Sequence, residues 1–393
     1  MGDEGLRTIE FVTMGCTWVL DLSRVSAETA GAMEGRWQRC IELAAAEDTL
    51  HLDDEPTTVR LIEGPVPADT PSGVIVVSAT SSDRLPYALS REITRAGLTR
   101  LRGRTTLLHA AALADDAGRT LALVAASGGG KSTATRVLGT RLGYVSDESV
   151  ILMPDGRIAP HPKPPSLVID PADRFHKQEP APDSIGLGPT PSAPHLAALL
   201  TLSRDAAVTE PSIDEVGLLD QVLSVIPETS STWWLDDGLD RLARAITAGG
   251  PPARLRYAEI DTCHDLVREH LALASPIEPT WEHLPAKGEQ RLAVDAVLDP
   301  PVEVAEPGPE DRLVRGPWSD AIACDDEVLV LLGPRPLRLA GPGAILWRTA
   351  VTPTRLDELI ARVTDELGDH PEGAEIVREA VAQLVGHGVL RRA

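Results

Sequence analysis

Residues 120–133, TLALVAASGGGKST, combine an apolar strand, a run of three glycines and a Lys-Ser-Thr that opens a helix. Glycines let consecutive backbone N–H groups point inward at phosphate oxygens, and the helix behind them adds its positive N-terminal end. Ser127, Gly128, Gly129, Gly130, Lys131, Ser132 and Thr133 are therefore the expected cradle for ATP or a close relative. Lys131 would reach the β- and γ-phosphates, and Ser132 would ligate Mg²⁺. The strict pattern G-x-x-x-x-G-K-[ST] is broken at its first position by Ala125. A plain glycine turn with a surface lysine is the rival reading, and it leaves the apolar strand and the following helix unexplained.

Two acids stand next to each other further on, Asp147 and Glu148 in YVSDESVIL at 144–152. Neighbours on a strand point to opposite faces, so both carboxylates can serve one site only if the backbone bends or ends there. One would then hold Mg²⁺ and the other would accept a proton from an attacking hydroxyl. A solvated acidic strand end is the alternative. His109 lies in the strand expected to pair with the one before the glycine loop. It is either within reach of the phosphates or a core histidine. Asp147, His109 and Lys131 are the catalytic candidates, and Ser132, Asp147 and Glu148 the metal candidates. Lys163 in HPKPPSL and Arg204 are basic residues that either grip an anion or sit as surface charges. The other histidines form no HExxH-type cluster, which argues against a transition-metal site.

The elements that must position these groups read as α/β and α+β in several domains. Residues 1–83 mix alternating runs at 8–14, 58–62 and 73–79 with a helical stretch around 27–46, and carry no chemical motif. A helix over 85–102 leads into the nucleotide segment. The apolar runs 107–114 and 119–125, joined by Asp115-Asp116-Ala117-Gly118, predict an antiparallel hairpin. A helix from Lys131 to about Leu142 should follow. Residues 160–195, rich in proline and polar residues, predict a long loop of the functional or mobile kind. Strands are expected at 197–203 and 253–260. Residues 275–312 read as an acidic, proline-rich linker. The last segment, 313–393, reads strand, strand, helix, helix, with Thr354 and Asp357 as a capping pair and Gly386 stopping the final helix. The expected division is thus 1–83, 84–274, linker 275–312, and 313–393.

Composition narrows the partners. The 393 residues carry a formal net charge of -22, which repels nucleic acid and anionic membrane surfaces. The four cysteines show no CxxC pair, consistent with thiols in a reducing compartment. Gly2 hints at myristoylation, but Leu6 stands where that motif wants Ser or Thr. With no apolar run long enough to span a bilayer, a cytoplasmic location is expected.

Taken together, LLHAAAL, ASGGGKST and YVSDESVIL resemble the HPr kinase/phosphorylase family, whose nucleotide fold is of the phosphoenolpyruvate-carboxykinase type. The resemblance spans about 85–260 and is specific over about 105–170. It implies that His109 matches the family's histidine before the phosphate loop, and that Asp147 is the general base activating a serine hydroxyl. The pair here is Asp-Glu rather than Asp-Asp, and the family's signature for the reverse phosphorolysis has no match. The segment DAIACDDEVLVLLGPRPLRLAGPGAILWRTAV and the helices after it resemble the PqqD-type winged helix, which binds the leader of ribosomally made precursor peptides. That likeness implies a leader added as a strand to a sheet edge.

The expected function is ATP- and Mg²⁺-dependent phosphorylation of a Ser or Thr in a precursor peptide captured through residues 313–393. The alternatives are a leader-binding adaptor that serves a neighbouring modifying enzyme, and a kinase for a small hydroxylated molecule such as serine. A homo-oligomer is compatible with each.

Overall fold

The protein is described by a computed structural model covering residues 7–66, 72–168, 177–305, 307–308 and 310–393. Gly2, the middle of the expected long loop at 169–176, and positions 306 and 309 of the expected linker lie outside the described residues. The chain forms two compact units. The first contains Met1–Gly217, Pro227–Ser230 and Ala245–Ile277, and the second contains Leu218–Ile226, Ser231–Arg244 and Glu278–Ala393.

The first unit begins with β1 (Thr8–Thr13), β2 (Cys16–Arg24), α1 (Ala27–Arg36), α2 (Gln38–Ala45), β3 (Asp53–Glu63) and β4 (Ile75–Ala79). These strands make a sheet in the order β1-β2-β3-β4, antiparallel between β1 and β2 and parallel thereafter. Helix α3 (Leu85–Leu101) places Leu85, Leu89, Ile93 and Leu101 in one buried cluster with Phe11, Trp18, Trp37 and Leu61 of that sheet region. The boundary expected at 83/84 is therefore crossed by a continuous core. Its apolar residues recur at helical spacing and need the sheet's inner face to leave water.

The expected strand 107–114 is two strands, β5 (Thr106–Leu108) and β6 (Ala110–Ala114), broken at His109. The β6 strand pairs antiparallel with β7 (Arg119–Val124), from Ala110↔Val124 to Ala114↔Thr120, around the Asp115–Gly118 turn, where Asp115 accepts from the Ala117 and Arg119 N–H groups. Helix α4 (Lys131–Leu138) is one turn shorter than expected and ends at Gly139. The run 144–152 also divides, into β8 (Gly143–Ser146) and β9 (Val150–Leu152), with the two acids in the bend between. Strands β10 (Ile158–Ala159), β11 (Leu167–Val168) and β12 (Lys177–Gln178) are short. After β13 (His195–Arg204) and β14 (Ser212–Glu215) come α5 (Leu218–Val225) and most of α6 (Gly238–Ile246), which belong to the second unit; β15 (Ala253–Tyr257) and α7 (His264–Leu273) complete the first.

A six-stranded mixed sheet, β14-β15-β13-β7-β6-β8, carries the loop before α4, and β10-β9-β5 form a separate small sheet. Strand β13 runs parallel to both β7 and β15. The buried faces of β6, β7, β13 and β15 pack with Leu138 of α4 and with Val267 and Leu271 of α7.

In the second unit the expected linker contains a strand. Trp281–His283 form β16, paired antiparallel with β18 (Asp320–Cys324), because Trp281 can bury its ring and its indole N–H can donate to Asp240 at 2.9 Å. Four strands, β16-β18-β19-β20, form one sheet, with β19 (Glu327–Leu332) and β20 (Arg335–Leu339), and β17 (Arg312–Arg315) sits between β21 (Thr354–Arg355) and β22 (Leu390–Arg392). Ala344–Trp347 lie on α8 (Pro342–Thr349), which shares a core with α9 (Leu356–Leu367) and α10 (Gly373–Gly386). The Thr354–Asp357 cap does not form: Thr354 donates to the Thr352 carbonyl and Asp357 accepts from Arg355 and from the Glu358 N–H.

A candidate phosphate and acceptor site

The loop 125–130 turns on backbone geometry that the glycines make cheap. Gly128 and Gly130 have φ of 82° and 97°, and the Gly129 N–H closes a turn onto the Ala126 carbonyl at 2.8 Å. Gly130 also meets the Tyr257 hydroxyl, which would lie 3.0 Å from an added Cβ. Ala125 is not among the described residues with positive φ, so alanine is no strain where the strict motif has glycine. Its carbonyl accepts a hydrogen bond from the Lys131 ammonium.

Lys131 is buried, and its Nζ lies 3.5 Å from an oxygen of Glu228. Burial pulls the Lys131 pKa below its ordinary value, and the Glu228 carboxylate works against that pull. The same Glu228 oxygen is 3.0 Å from Nδ1 of His109, and the His109 N–H donates to the Glu228 carbonyl at 2.6 Å. His109 is thus neither a core residue nor a regular strand residue. Its half-exposed ring stands at the break between β5 and β6 and faces the glycine loop's cleft.

The bend that holds the acids is built by Ser146, whose hydroxyl accepts from the N–H groups of Glu148 and Ser149 at 3.2 and 3.0 Å. Asp147 turns inward and Glu148 stays half-exposed. Lys163 is fully buried against them, 3.0 Å from Asp147 and 3.4 Å from Glu148. It is neither a surface charge nor free to grip a substrate. The Tyr144 hydroxyl donates to the same Asp147 oxygen at 3.0 Å. Burial alone would raise the Asp147 pKa, but the adjacent Lys163 ammonium and these hydrogen bonds outweigh it and hold the carboxyl below its usual range. Among the described residues its second oxygen meets only the Ser166 N–H, at 3.4 Å, and remains an available acceptor.

A further buried acid stands behind this pair. Glu179 accepts from the Ser90 hydroxyl at 3.0 Å and from Ser166, and burial pushes its pKa up to about 7 despite Lys163. His161 is enclosed by Thr13 and Thr94 at 2.7 and 3.0 Å, and burial together with Lys163 lowers it to about 3, so it is neutral.

Part of this network opens onto one cleft of about 620 Å³, with Glu228, Lys163, Tyr144, Glu179 and His161 behind its wall. Ser127, Gly128, Gly130, Lys131, Ser132 and Thr133 form one side; Gly129 is not on its surface. His109, Asp147, Glu148 and Ser166 also line it, as do Tyr87, Ser90, Arg91, Thr94, Arg95 and Leu98 of α3. Arg204 is not on this surface and is an exposed charge 2.8 Å from Glu259. Backbone donors at the start of α4 and a buried ammonium suit a polyphosphate. Among the described residues no three His, Cys, Asp or Glu side chains are placed to hold a metal ion by themselves. Mg²⁺ typically uses one or two carboxylates and completes its shell with phosphate oxygens and water. Glu148, Asp147 and Ser132 are the side chains of this cleft that could contribute.

Glu228, Ser166 and Glu179 are not among the candidates the sequence offers, and Lys163 is one only as a basic residue, not as a partner of Asp147. HPKPPSL did mark Lys163 as a basic residue worth noting, but Glu228 carries no motif at all. Among the described residues no helix is long and apolar enough to cross a membrane. No protein-family model matches the chain, and neither does any curated protein sequence.

Proposed function

We propose that the first unit is an ATP- and Mg²⁺-dependent kinase of the HPr kinase-like kind, and that it phosphorylates a Ser or Thr hydroxyl of a ribosomally made precursor peptide. The single observation that carries this reading is the shared cleft: a glycine loop with a buried lysine and an inward-facing carboxylate line the same cavity. The cation, bound through Glu148 and Ser132, would supply charge neutralisation at the phosphates.

The acceptor hydroxyl oxygen bonds to the γ-phosphorus, the bond from that phosphorus to the β–γ bridging oxygen breaks, and the electron pair leaves with ADP. The hydroxyl proton passes to the available oxygen of Asp147. Because Asp147 is held ionised, its part is to orient the hydroxyl and accept the proton late, as bond formation makes that proton acidic. Lys131 leaves the Ala125 carbonyl and Glu228 for the phosphates. His109 keeps Glu228 in place meanwhile.

For the second unit, the PqqD-like reading assigns leader capture. Among the described residues strand β20 ends its sheet, paired only with β19, so an extended peptide could add there. An adaptor without transfer is favoured by one feature, the double engagement of one Asp147 oxygen by Lys163 and Tyr144.

The test is incubation with ATP, Mg²⁺ and the precursor encoded beside the gene, followed by intact-mass measurement. A gain of one phosphoryl group, absent in Asp147→Asn, supports transfer. An unmodified peptide that still binds the protein supports the adaptor.

A further inference from the structure

A second cavity of about 720 Å³ adjoins the first, and Tyr87, Arg91 and Lys177 line both. Its wall holds three basic residues, Arg84, Arg91 and Lys177, and no carboxylate among the described residues. The chain as a whole has 59 acidic residues against 37 basic ones, so such a wall runs against the general charge. The arrangement is built. Tyr87 and Arg91 are four residues apart on α3 and share a face, and the Lys177 ammonium lies 5.0 Å over the Tyr87 ring. Arg91 is exposed and has no ion-pair partner among the described residues, unlike Arg95 one turn on, which is bound by Glu92 at 2.7 Å.

We infer that this second cavity is an acceptor-side subsite for a carboxylate, so that the preferred substrate is a peptide carrying an acidic group close to the hydroxyl that is phosphorylated. This rests on the kinase reading above for its function, though not for its anion affinity. The helix provides a ruler. From its N-cap Arg84 to Arg91 the helix lines the second cavity, and from Tyr87 to Leu98 the first, centres about five residues apart. At 1.5 Å per residue that is roughly 7–8 Å, or about two residues of extended peptide. The carboxylate therefore belongs about two residues from the acceptor. Arg91 and Lys177 face it from two separate elements, which fixes a planar anion better than one charge does.

The experiment uses the full chain and amidated decapeptides with a single Ser and either Glu or Gln two residues away on each side in turn. Binding is read by fluorescence anisotropy at low salt, and phosphorylation by mass with ATP and Mg²⁺. The Glu peptide should bind roughly five- to tenfold better than its Gln twin, and Arg91→Gln/Lys177→Gln should erase the difference. A free C-terminal carboxylate at the same distance, in place of Glu, distinguishes a chain end from an acidic side chain as the natural source.

Equal binding of the Glu and Gln peptides by the unaltered protein overturns the subsite, even if both are phosphorylated, and then the kinase reading stands alone. Arg91- and Lys177-dependent preference for Glu without any phosphopeptide keeps the subsite and removes the kinase.

Discussion

Replacing Lys163 by Met is the sharpest structural perturbation available, because the ammonium is fully buried and Asp147 beside it is nearly so. The substitution keeps most of the side-chain volume and removes the charge. It leaves the Asp147 carboxylate with Tyr144 and a long contact to the Ser166 N–H. Breaking a buried ion pair from one side costs roughly 3–5 kcal/mol. For a unit of this size each kcal/mol moves the melting temperature by about 2–4 °C, so a fall on the order of 10 °C is expected. Calorimetry reads that fall directly.

The pH dependence gives the mechanism. In the unaltered protein the Asp147 pKa is held down, so its contribution is present above the unfolded value and is lost as pH falls through the folded one. Without Lys163 the burial penalty dominates and the pKa moves up, so the variant gains a proton on folding. The loss in Lys163→Met should therefore shrink between pH 8 and pH 5, and Lys163→Met/Asp147→Asn should recover part of it at pH 8. A melting temperature within about 2 °C of the unaltered protein, or the same deficit at both pH values, would refute the reasoning.

Three other outcomes follow from named groups. Glu179 is raised from 4.5 to about 7 by burial, so folding takes up a proton and stability declines as pH rises across that window. At 1.36 kcal/mol per unit the decline is roughly 3 kcal/mol, and Glu179→Gln should flatten it in a pH series of melting curves; parallel curves would contradict the assignment. Gly130→Ala meets both a φ of 97° and the Tyr257 hydroxyl, whereas Gly128→Ala meets a φ of 82° in open space. Both should cost on the order of 1–2 kcal/mol from the left-handed backbone, with Gly130→Ala the worse in thermal melts. Glu228→Gln removes a negative charge beside the Lys131 ammonium and should tighten ATP binding, by about 1 kcal/mol or roughly fivefold if the interaction is screened as in water; an unchanged or weaker affinity by calorimetric titration would place Glu228 in another role.

What the sequence could show depended on range. The β6–β7 hairpin was legible because the turn residues Asp115 and Gly118 and both apolar runs lie within one short stretch. The bend at Asp147–Glu148 was legible only as a condition: alternation says that neighbouring strand residues diverge, and Ser146 supplies the local hydrogen bonds that break the strand. The break at His109 was invisible, since LLHAAALA reads as one apolar run and the two halves join different sheets. Mixed α/β character was evident from the alternation of patterns along the chain. Membership of the compact units was not, because residues 218–226 and 231–244 interrupt the first unit's chain with helices of the second.

The site followed the same rule. The glycine loop is a contiguous motif whose backbone demands appear in its residue types. Glu228 reaches Lys131 from a segment far along the chain, and Asp147 takes Lys163 and Ser166 from the proline-rich stretch after β10. Proline-rich composition marked 160–195 as a loop, and HPKPPSL as a basic spot, but burial of Lys163 is decided by the strands and α3 that enclose it. A carboxylate alone in a helical connection such as 227–230 carries no spacing signal at all.

The central claim is that this cleft holds a nucleotide through the glycine loop and Lys131, and calorimetric titration of the full chain with ATP and Mg²⁺ tests it most directly. Saturable binding that weakens at least tenfold in Lys131→Met, with an unchanged melting temperature for the second unit, is the predicted result. No binding by the unaltered protein, or equal affinity in Lys131→Met, would contradict it.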